Sequence, residues 1–309
     1  MTSIISRYLD GIATKVAQQR CLTVIGVAKS PYIPTNINQL CLPAISWYWK
    51  PNPIGQISYE QFQFSDTAPL SVASDVLFTS SGNSVSENYR TFLYVLKKNE
   101  NFPYKTLLNE LLKKNEAPES YADGWIQVLI NGSLEWKPDW IFSDSVYSWK
   151  QKVQEGTIDN SGTIKVALRK GDNLSNIFML DNDTHKSFEF ISQFETVEVY
   201  ADAWGIISIR PGSWFNNSIL KLGKDYIPKN LDILTSRVAA FYVAANPKFT
   251  FKSNIKIDLS ILKKATSFQC FGIDAQLDEP YKTVANSHEI TLYSKTVNPA
   301  IVGVVLERL

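Results

Sequence analysis

Cysteine and histidine are scarce in this chain of 309 residues, which limits the metal sites that it can build. The three cysteines, Cys21, Cys41 and Cys270, are odd in number and widely separated, so they indicate neither a disulfide framework nor the paired spacing of a zinc site. The two histidines, His185 and His288, have no metal-binding partner at the usual spacing. The sequence therefore predicts buried structural thiols, no metal site and no cofactor.

One acidic segment, residues 181–185, resembles the start of a calcium-binding loop. Its sequence is DNDTH, and it lacks the glycine and the later glutamate of an EF-hand. A polar turn between two strands explains the segment more simply, and that turn is what we expect.

Positive and negative charges are nearly balanced, because the chain has 31 basic and 30 acidic residues. A near-neutral chain exerts no long-range attraction on a polyanion, and arginine, which suits phosphate and base recognition, is scarce. Nucleic acid is therefore not an expected partner.

The first ten residues carry charges where a signal peptide needs an apolar run, and the apolar residues 23–28 are too few to span a bilayer. We expect a cytoplasmic protein.

The usual signatures of catalysis are missing as well. The chain contains no G-x-G-x-x-G segment, no Walker A loop and no G-x-S-x-G elbow. Together these absences make an enzyme the less favoured interpretation without excluding one.

Aromatic residues, in contrast, are abundant at 12%, with 8 Trp, 14 Tyr and 16 Phe. Large aromatic side chains favour half-buried β-surfaces. The sequence predicts a β-rich α+β fold. Its mixed N-terminal part, residues 1–156, contains an amphipathic helix and a helical hairpin. A largely antiparallel, sandwich-like part follows over residues 157–309. One continuous domain is the alternative.

Apolar spacing and capping residues predict where the helices lie. Ile5, Leu9, Ile12 and Val16 recur at helical spacing, so the first twenty residues are expected to form an amphipathic helix that packs on a sheet. A partner-binding or membrane-surface helix is the alternative for this segment.

A helical pair and a hairpin follow. Ser84 and Glu87 match a capping box, and Pro103 is expected to open the second helix. Asn131-Gly132 is the strongest hairpin signal in the chain.

Ser143 is expected to cap a further helix over residues 146–153, which Gly156 would end. Beyond residue 156 the pattern predicts strands almost throughout. They include residues 188–194 and residues 249–259, where apolar and polar positions alternate.

Tryptophans mark the candidate binding surfaces. Trp47 and Trp49 would share one face of a strand, and this face would be an apolar patch if the N-terminal helix leaves it uncovered. Trp204 and Trp214 flank Arg210 in sequence. A stacked arginine between two rings would suit an anionic ligand or a partner chain, whereas a purely structural corner is the alternative.

The corner itself is expected at Arg210-Pro211-Gly212. Proline followed by glycine suits the two central positions of a type II turn.

The candidate catalytic residues are Glu135, Asp139 and His185. Two acids that meet across a cleft are the requirement for glycoside hydrolysis, and Trp136 and Trp140 lie beside them and could stack on sugar rings. A hairpin that packs its tryptophans on the following helix is the alternative. His185 could act as a base for a nucleophile elsewhere, although an exposed turn histidine is the simpler interpretation.

These observations support a non-catalytic binding or self-assembly protein that uses aromatic-rich surfaces and sheet edges. The expected partner is another protein or a second copy of the chain, and a small-molecule or sugar ligand is the further option. Two alternatives come from other classes. One is a membrane-acting, toxin-like protein whose Ser- and Thr-rich residues 75–86 refold into a hairpin, and the other is a carbohydrate-active hydrolase.

Overall fold

The protein is described by a computed structural model that covers the following residues: 4–23, 38–40, 56–58, 65–69, 80–144, 146–172, 174, 177–181, 183–229, 234–258, 260–271, 273–277, 288–295 and 299–309. Within these residues the chain forms α-helices and mostly antiparallel sheets, which confirms the β-rich α+β class.

The helices are α1 (Ile4–Thr23), α2 (Val85–Lys98), α3 (Lys105–Lys114), α4 (Val146–Gln154), α5 (Thr184–Ile191) and α6 (Asn217–Gly223). The strands of the first half are β1 (Asn38–Leu40), β2 (Gln56–Ser58), β3 (Thr67–Pro69), β4 (Ser80–Ser84), β5 (Trp125–Ile130), β6 (Ser133–Pro138) and β7 (Trp140–Phe142). The later strands are β8 (Gly162–Ala167), β9 (Phe178–Leu180), β10 (Thr196–Ala201), β11 (Ala203–Pro211), β12 (Ser236–Ala245), β13 (Lys248–Lys252), β14 (Phe268–Cys270), β15 (Ile273–Leu277), β16 (Glu289–Ser294) and β17 (Ala300–Arg308).

Two large sheets organise these strands. A curled, seven-stranded sheet has the order β8-β10-β13-β16-β15-β14-β9, and a five-stranded sheet has the order β1-β17-β12-β11-β7. A three-stranded sheet, β2-β5-β6, and the pair β3-β4 complete the set. Strands β2 and β5 pair in parallel, and the other pairings of the described strands are antiparallel.

The five-stranded sheet lies between two hydrophobic cores. On β12, Tyr242 belongs to the core shared with the seven-stranded sheet and α1, which we call the sheet core. Its neighbours Phe241 and Val243 belong to the core shared with α2 and α3, which we call the helix core. Successive side chains of a strand point to opposite faces, so one strand supplies both cores. Both cores contain residues from either side of position 156, and the division there stays a prediction.

Helix α1 packs its apolar stripe into the sheet core. Ile4, Tyr8, Ile12 and Val16 are buried at successive intervals of four residues, which is the spacing of one helix face. The Tyr8 ring stacks on Phe271 with the centroids 4.1 Å apart. The predicted helix is therefore confirmed and its packing on a sheet is observed; the side chains of residues 5 and 9 lie outside the described part.

The start of α2 and the hairpin turn follow local sequence rules, whereas α3 begins at Lys105, two residues after Pro103. Ser84 caps α2, because its hydroxyl accepts a hydrogen bond from the backbone N–H of Glu87 at 3.1 Å. Asn131 and Gly132 both have positive φ, at 49° and 83°, as a two-residue hairpin turn requires. They connect β5 to β6 with Ile130 paired to Ser133.

The helix over residues 146–154 is confirmed, but the predicted cap is not. The Ser143 hydroxyl instead accepts a hydrogen bond from the backbone N–H of Ser208, so this residue extends the contact between β7 and β11. Gly156 ends the segment with φ of 71°.

One predicted strand, residues 188–194, is wrong, and a second, residues 249–259, is too long. Residues 184–191 form α5, because the Asp183 carboxylate caps the helix by accepting from the backbone N–H of Lys186. Phe190 and Phe194 fit helical as well as strand spacing, and both enter the sheet core. Strand β13 ends at residue 252, and Ile255 beyond it is 61% exposed.

The segment at residues 181–185 does not join two strands as expected, because it lies between β9 and α5, and Thr184 and His185 are already helical. Asp181 nevertheless has a structural role. The Asp181 carboxylate accepts hydrogen bonds from the backbone N–H and the hydroxyl of both Thr266 and Ser267. These bonds lower the pKa of Asp181 and tie β9 to the segment that leads into β14. Among the helices in the described part of the chain, none is both long enough and apolar enough to cross a membrane.

Candidate functional site

Three of the tryptophans expected at a binding surface are buried in the cores. Trp140 is 2% exposed, and Trp204 and Trp214 are fully covered. The Trp204 indole N–H donates to the Gly162 carbonyl at 2.9 Å, and the Trp214 indole N–H donates to the Asp139 carbonyl at 2.6 Å. Their ring faces are closed to a ligand in this structure, so the structural alternative accounts for their positions. Trp47 and Trp49 lie outside the described residues.

Arg210 is exposed on β11, where it pairs with Ile141 of β7. No ring contact of its guanidinium is found within the described residues. The predicted type II turn is not formed, because Gly212 does not have the positive φ that such a turn requires at its third position. Strand β11 continues through Pro211 instead, and the Gly212 N–H donates to the Asp139 carbonyl at 2.9 Å.

Asp139 lies at the junction of β6 and β7, beside the Trp140 and Trp214 rings, whose centroids are 5.5 Å apart. Burial raises the pKa of the Asp139 carboxyl, and the nearby Asp123 carboxylate raises it further. Its expected partner Glu135 is exposed on β6 and pairs with Lys137 at 3.0 Å. Asp123, which the sequence did not single out, is therefore the acid that influences Asp139.

Asp123 also lines an open cleft of about 460 Å³, and Asp139 is not among the lining residues. Its lining combines lysine and carboxylate groups with apolar side chains, and consists of Lys113, Lys114, Glu116, Ala117, Pro118, Ala122, Asp123 and Trp125. The Asp123 carboxylate accepts a hydrogen bond from the Ser213 hydroxyl at 2.7 Å.

Trp136 is half-buried on β6, and His185 is exposed in the first turn of α5.

Aromatic rings do reach the surface on the seven-stranded sheet, at positions that the sequence did not indicate. One side of this sheet faces the sheet core. On the opposite side, alternate residues of its first four strands, β8, β10, β13 and β16, form a continuous surface. We call this four-stranded surface the outer face; it consists of Thr163, Lys165, Ala167, Thr196, Glu198, Tyr200, Lys248, Thr250, Lys252, Glu289, Thr291 and Tyr293.

Strand register aligns the outer face in three rows. Tyr200 pairs with Lys248, and Lys248 pairs with Tyr293, so a lysine lies between two tyrosines on adjacent strands. The Lys248 ammonium is 5.2 Å from the Tyr200 ring centroid and 5.7 Å from the Tyr293 centroid. Both distances are within the range of a cation–π contact.

The second and third rows are polar. The hydroxyls of Thr250 and Thr291 are hydrogen-bonded at 2.9 Å. The Glu198 carboxylate meets the Lys252 ammonium at 2.8 Å and the Lys165 ammonium at 3.6 Å, and these two lysines lower its pKa. The outer face thus presents phenol rings, aliphatic hydroxyls and ammonium groups side by side.

Local sequence does contain part of this signal, because Tyr200, Lys248 and Tyr293 each occupy the polar phase of an alternating strand. Their proximity depends on the order β10-β13-β16, which joins segments distant in sequence.

In the described part of the chain, no group of three histidine, cysteine or acidic side chains is placed to hold a metal ion. Cys270 is buried and its surroundings raise the pKa of its thiol. Compared with known proteins, the chain matches no family model and no curated protein.

Proposed function

We propose that the chain is a non-catalytic binding protein that holds a carbohydrate on the outer face of the seven-stranded sheet. The observation that carries the proposal is the row Tyr200, Lys248 and Tyr293 on three adjacent strands. It gathers the groups that sugar recognition uses, since flat rings stack on the apolar faces of sugars while hydroxyl and ammonium groups bind their oxygens.

The spacing of this row suits an extended ligand. Tyr200 and Tyr293 are two strands apart, which corresponds to roughly 10 Å at the usual separation of neighbouring strands. A ligand about the length of a disaccharide unit can contact both rings. The adjacent hydroxyls of Thr250 and Thr291 extend the polar part of the surface along the strands.

The outer face is also open in the manner of a polymer-binding surface. Its residues are half-buried or exposed, and the rows continue across four strands without a register shift. An extended surface binds a chain of sugar units along its length, whereas a small metabolite is usually enclosed by a concave pocket.

Affinity electrophoresis against a panel of soluble polysaccharides tests the proposal. The protein is expected to be retarded by at least one of them, and the double variant Tyr200→Ala with Tyr293→Ala is expected to lose about tenfold in affinity, equivalent to about 1.4 kcal/mol. Tyr94→Ala is the matched control, because Tyr94 is 39% exposed on α2 and has Arg90 over its ring at 6.0 Å. An unretarded wild-type protein, or equal losses in the control and the double variant, would contradict the proposal.

A second candidate function is a carbohydrate hydrolase at Asp139. The observation that favours it is the position of Asp139 near the Asp123 carboxylate, where burial and this second acid raise the pKa of Asp139, the direction of shift that suits a general acid. Release of reducing ends from the same polysaccharides, abolished by Asp139→Asn, would support a hydrolase. No release from any of them would remove this candidate. Self-assembly through sheet edges stays a prediction.

A further inference from the structure

We infer that the ligand of the outer face is an acidic glycan, with the Lys248 ammonium binding a sugar carboxylate between the two tyrosines. This inference rests on the proposed carbohydrate binding and specifies its ligand class.

The charges of the outer face leave Lys248 available for an anion. Lys165 and Lys252 share the Glu198 carboxylate, at 3.6 Å and 2.8 Å. Among the described residues, no carboxylate lies within ion-pair distance of the Lys248 ammonium. The only acids that the four strands contribute to this face are Glu198 and Glu289, against three lysines, so the surface has a net positive charge.

The neighbours of Lys248 strengthen its preference for a carboxylate. The two phenol rings flank the ammonium at 5.2 Å and 5.7 Å and displace part of the water around it, and an ion pair is stronger where fewer water molecules compete. Each tyrosine carries a hydroxyl that can donate a hydrogen bond to an anionic oxygen. Hydrogen bonds between charged partners are stronger than those between neutral ones.

A neutral sugar would leave this ammonium without a counter-charge at the centre of the ligand. An acidic sugar supplies this counter-charge through its carboxylate, alongside its hydroxyls. Binding should then depend on salt, because exposed ion pairs weaken as ionic strength rises, whereas ring stacking and neutral hydrogen bonds are far less sensitive.

Matched polymers and variants test the inference. The probes are polygalacturonate, alginate and hyaluronate, each compared with its methyl-esterified form, which keeps the sugar backbone and removes the carboxylate charge. We expect at least one acidic polymer to bind roughly tenfold more tightly than its ester at low salt, in line with a charged hydrogen bond.

Three substitutions examine the lysine itself. Lys248→Met keeps the apolar stem and should remove most of the preference for the acidic form, while Lys248→Arg should retain it because guanidinium keeps the charge and stacks on rings. Lys97→Met makes the same charge change at an exposed position of α2, outside the outer face, and should have little effect.

The outcomes separate this inference from the proposed function. Equal affinity for an acidic polymer and its ester, or equal effects of Lys248→Met and Lys97→Met, would overturn the acidic ligand class while carbohydrate binding stands. Failure to bind any acidic polymer while a neutral polysaccharide binds would do the same. No binding to any polysaccharide, acidic or neutral, would overturn both.

Discussion

A buried carboxyl at the start of α2 should make the stability of the protein fall between pH 4 and pH 7. Pairing of β3 with β4 places Asp66 beside the first turn of the helix. One carboxylate oxygen accepts from the backbone N–H of Ser86 at 2.8 Å, and the other accepts from the Ser86 hydroxyl at 2.5 Å. Asp66 is 3% exposed, and burial raises its pKa from 3.8 to about 7, despite the opposing effect of both hydrogen bonds.

The direction of the effect follows from proton binding. In the unfolded chain Asp66 loses its proton near pH 4, whereas in the folded protein it keeps the proton up to about pH 7. The folded state therefore binds more protons in this interval, and the free energy of unfolding decreases as pH rises. The difference between the two pKa values corresponds to about 4 kcal/mol, since one pH unit is worth about 1.4 kcal/mol. The loss is complete above about pH 7 and absent below about pH 4.

Asp66→Asn isolates this contribution. The amide keeps an acceptor for the Ser86 N–H and cannot ionise, so the variant should be more stable than the wild type at pH 8 and close to it at pH 4. Urea unfolding of both proteins at several pH values measures the difference, and the comparison cancels other titrating groups. Glu87→Gln is the companion variant, because the Glu87 charge raises the pKa of Asp66 and its removal should make the decline with pH shallower. A constant difference between wild type and Asp66→Asn from pH 4 to pH 8 would refute the reasoning.

Two further predictions concern packing. Gly205→Ala should destabilise the protein by about 1–3 kcal/mol, because the added Cβ would lie 2.5 Å from the Trp149 indole nitrogen. Its control is Ser208→Ala, at an exposed position of the same strand, which should change stability by less than about 0.5 kcal/mol. Trp214→Phe should cost about 1 kcal/mol more than Trp140→Phe in thermal or urea unfolding. Trp214 loses a hydrogen bond to a carbonyl, whereas the Trp140 indole N–H meets no acceptor among the described residues. Equal costs within either pair would contradict the corresponding explanation.

Features fixed by a few neighbouring residues were predictable from the sequence. The cap at Ser84 needs only the residue three positions later, and the turn at Asn131-Gly132 needs only residues that tolerate positive φ. Interactions that span the chain were not. The partners of Asp181 lie at Thr266 and Ser267, and nothing near Asp181 in sequence indicates them.

The candidate site was difficult to predict for a related reason. The tryptophans were predicted as binding residues because they are large and aromatic. Whether a ring is exposed, however, depends on which layers cover each face of a sheet. Trp204 and Arg210 lie on the same face of β11. The Trp204 ring is nevertheless buried in the sheet core while the Arg210 guanidinium is exposed, because the sheet core covers only part of the strand.

The chemistry of the side chains explains why tyrosine, and not tryptophan, forms the outer face. A tyrosine has an apolar ring and a hydroxyl at its tip, so it can remain half-buried on a polar surface with its hydroxyl near water. The sheet core covers the other side of the same strands with Val199, Phe249 and Leu292, which fixes the backbone positions of Tyr200, Lys248 and Tyr293 without using their side chains. A rigid sheet therefore presents two rings and a charge at constant spacing. Such preorganisation lowers the entropy cost of binding, and it is the reason to seek the ligand on this face before the buried tryptophans.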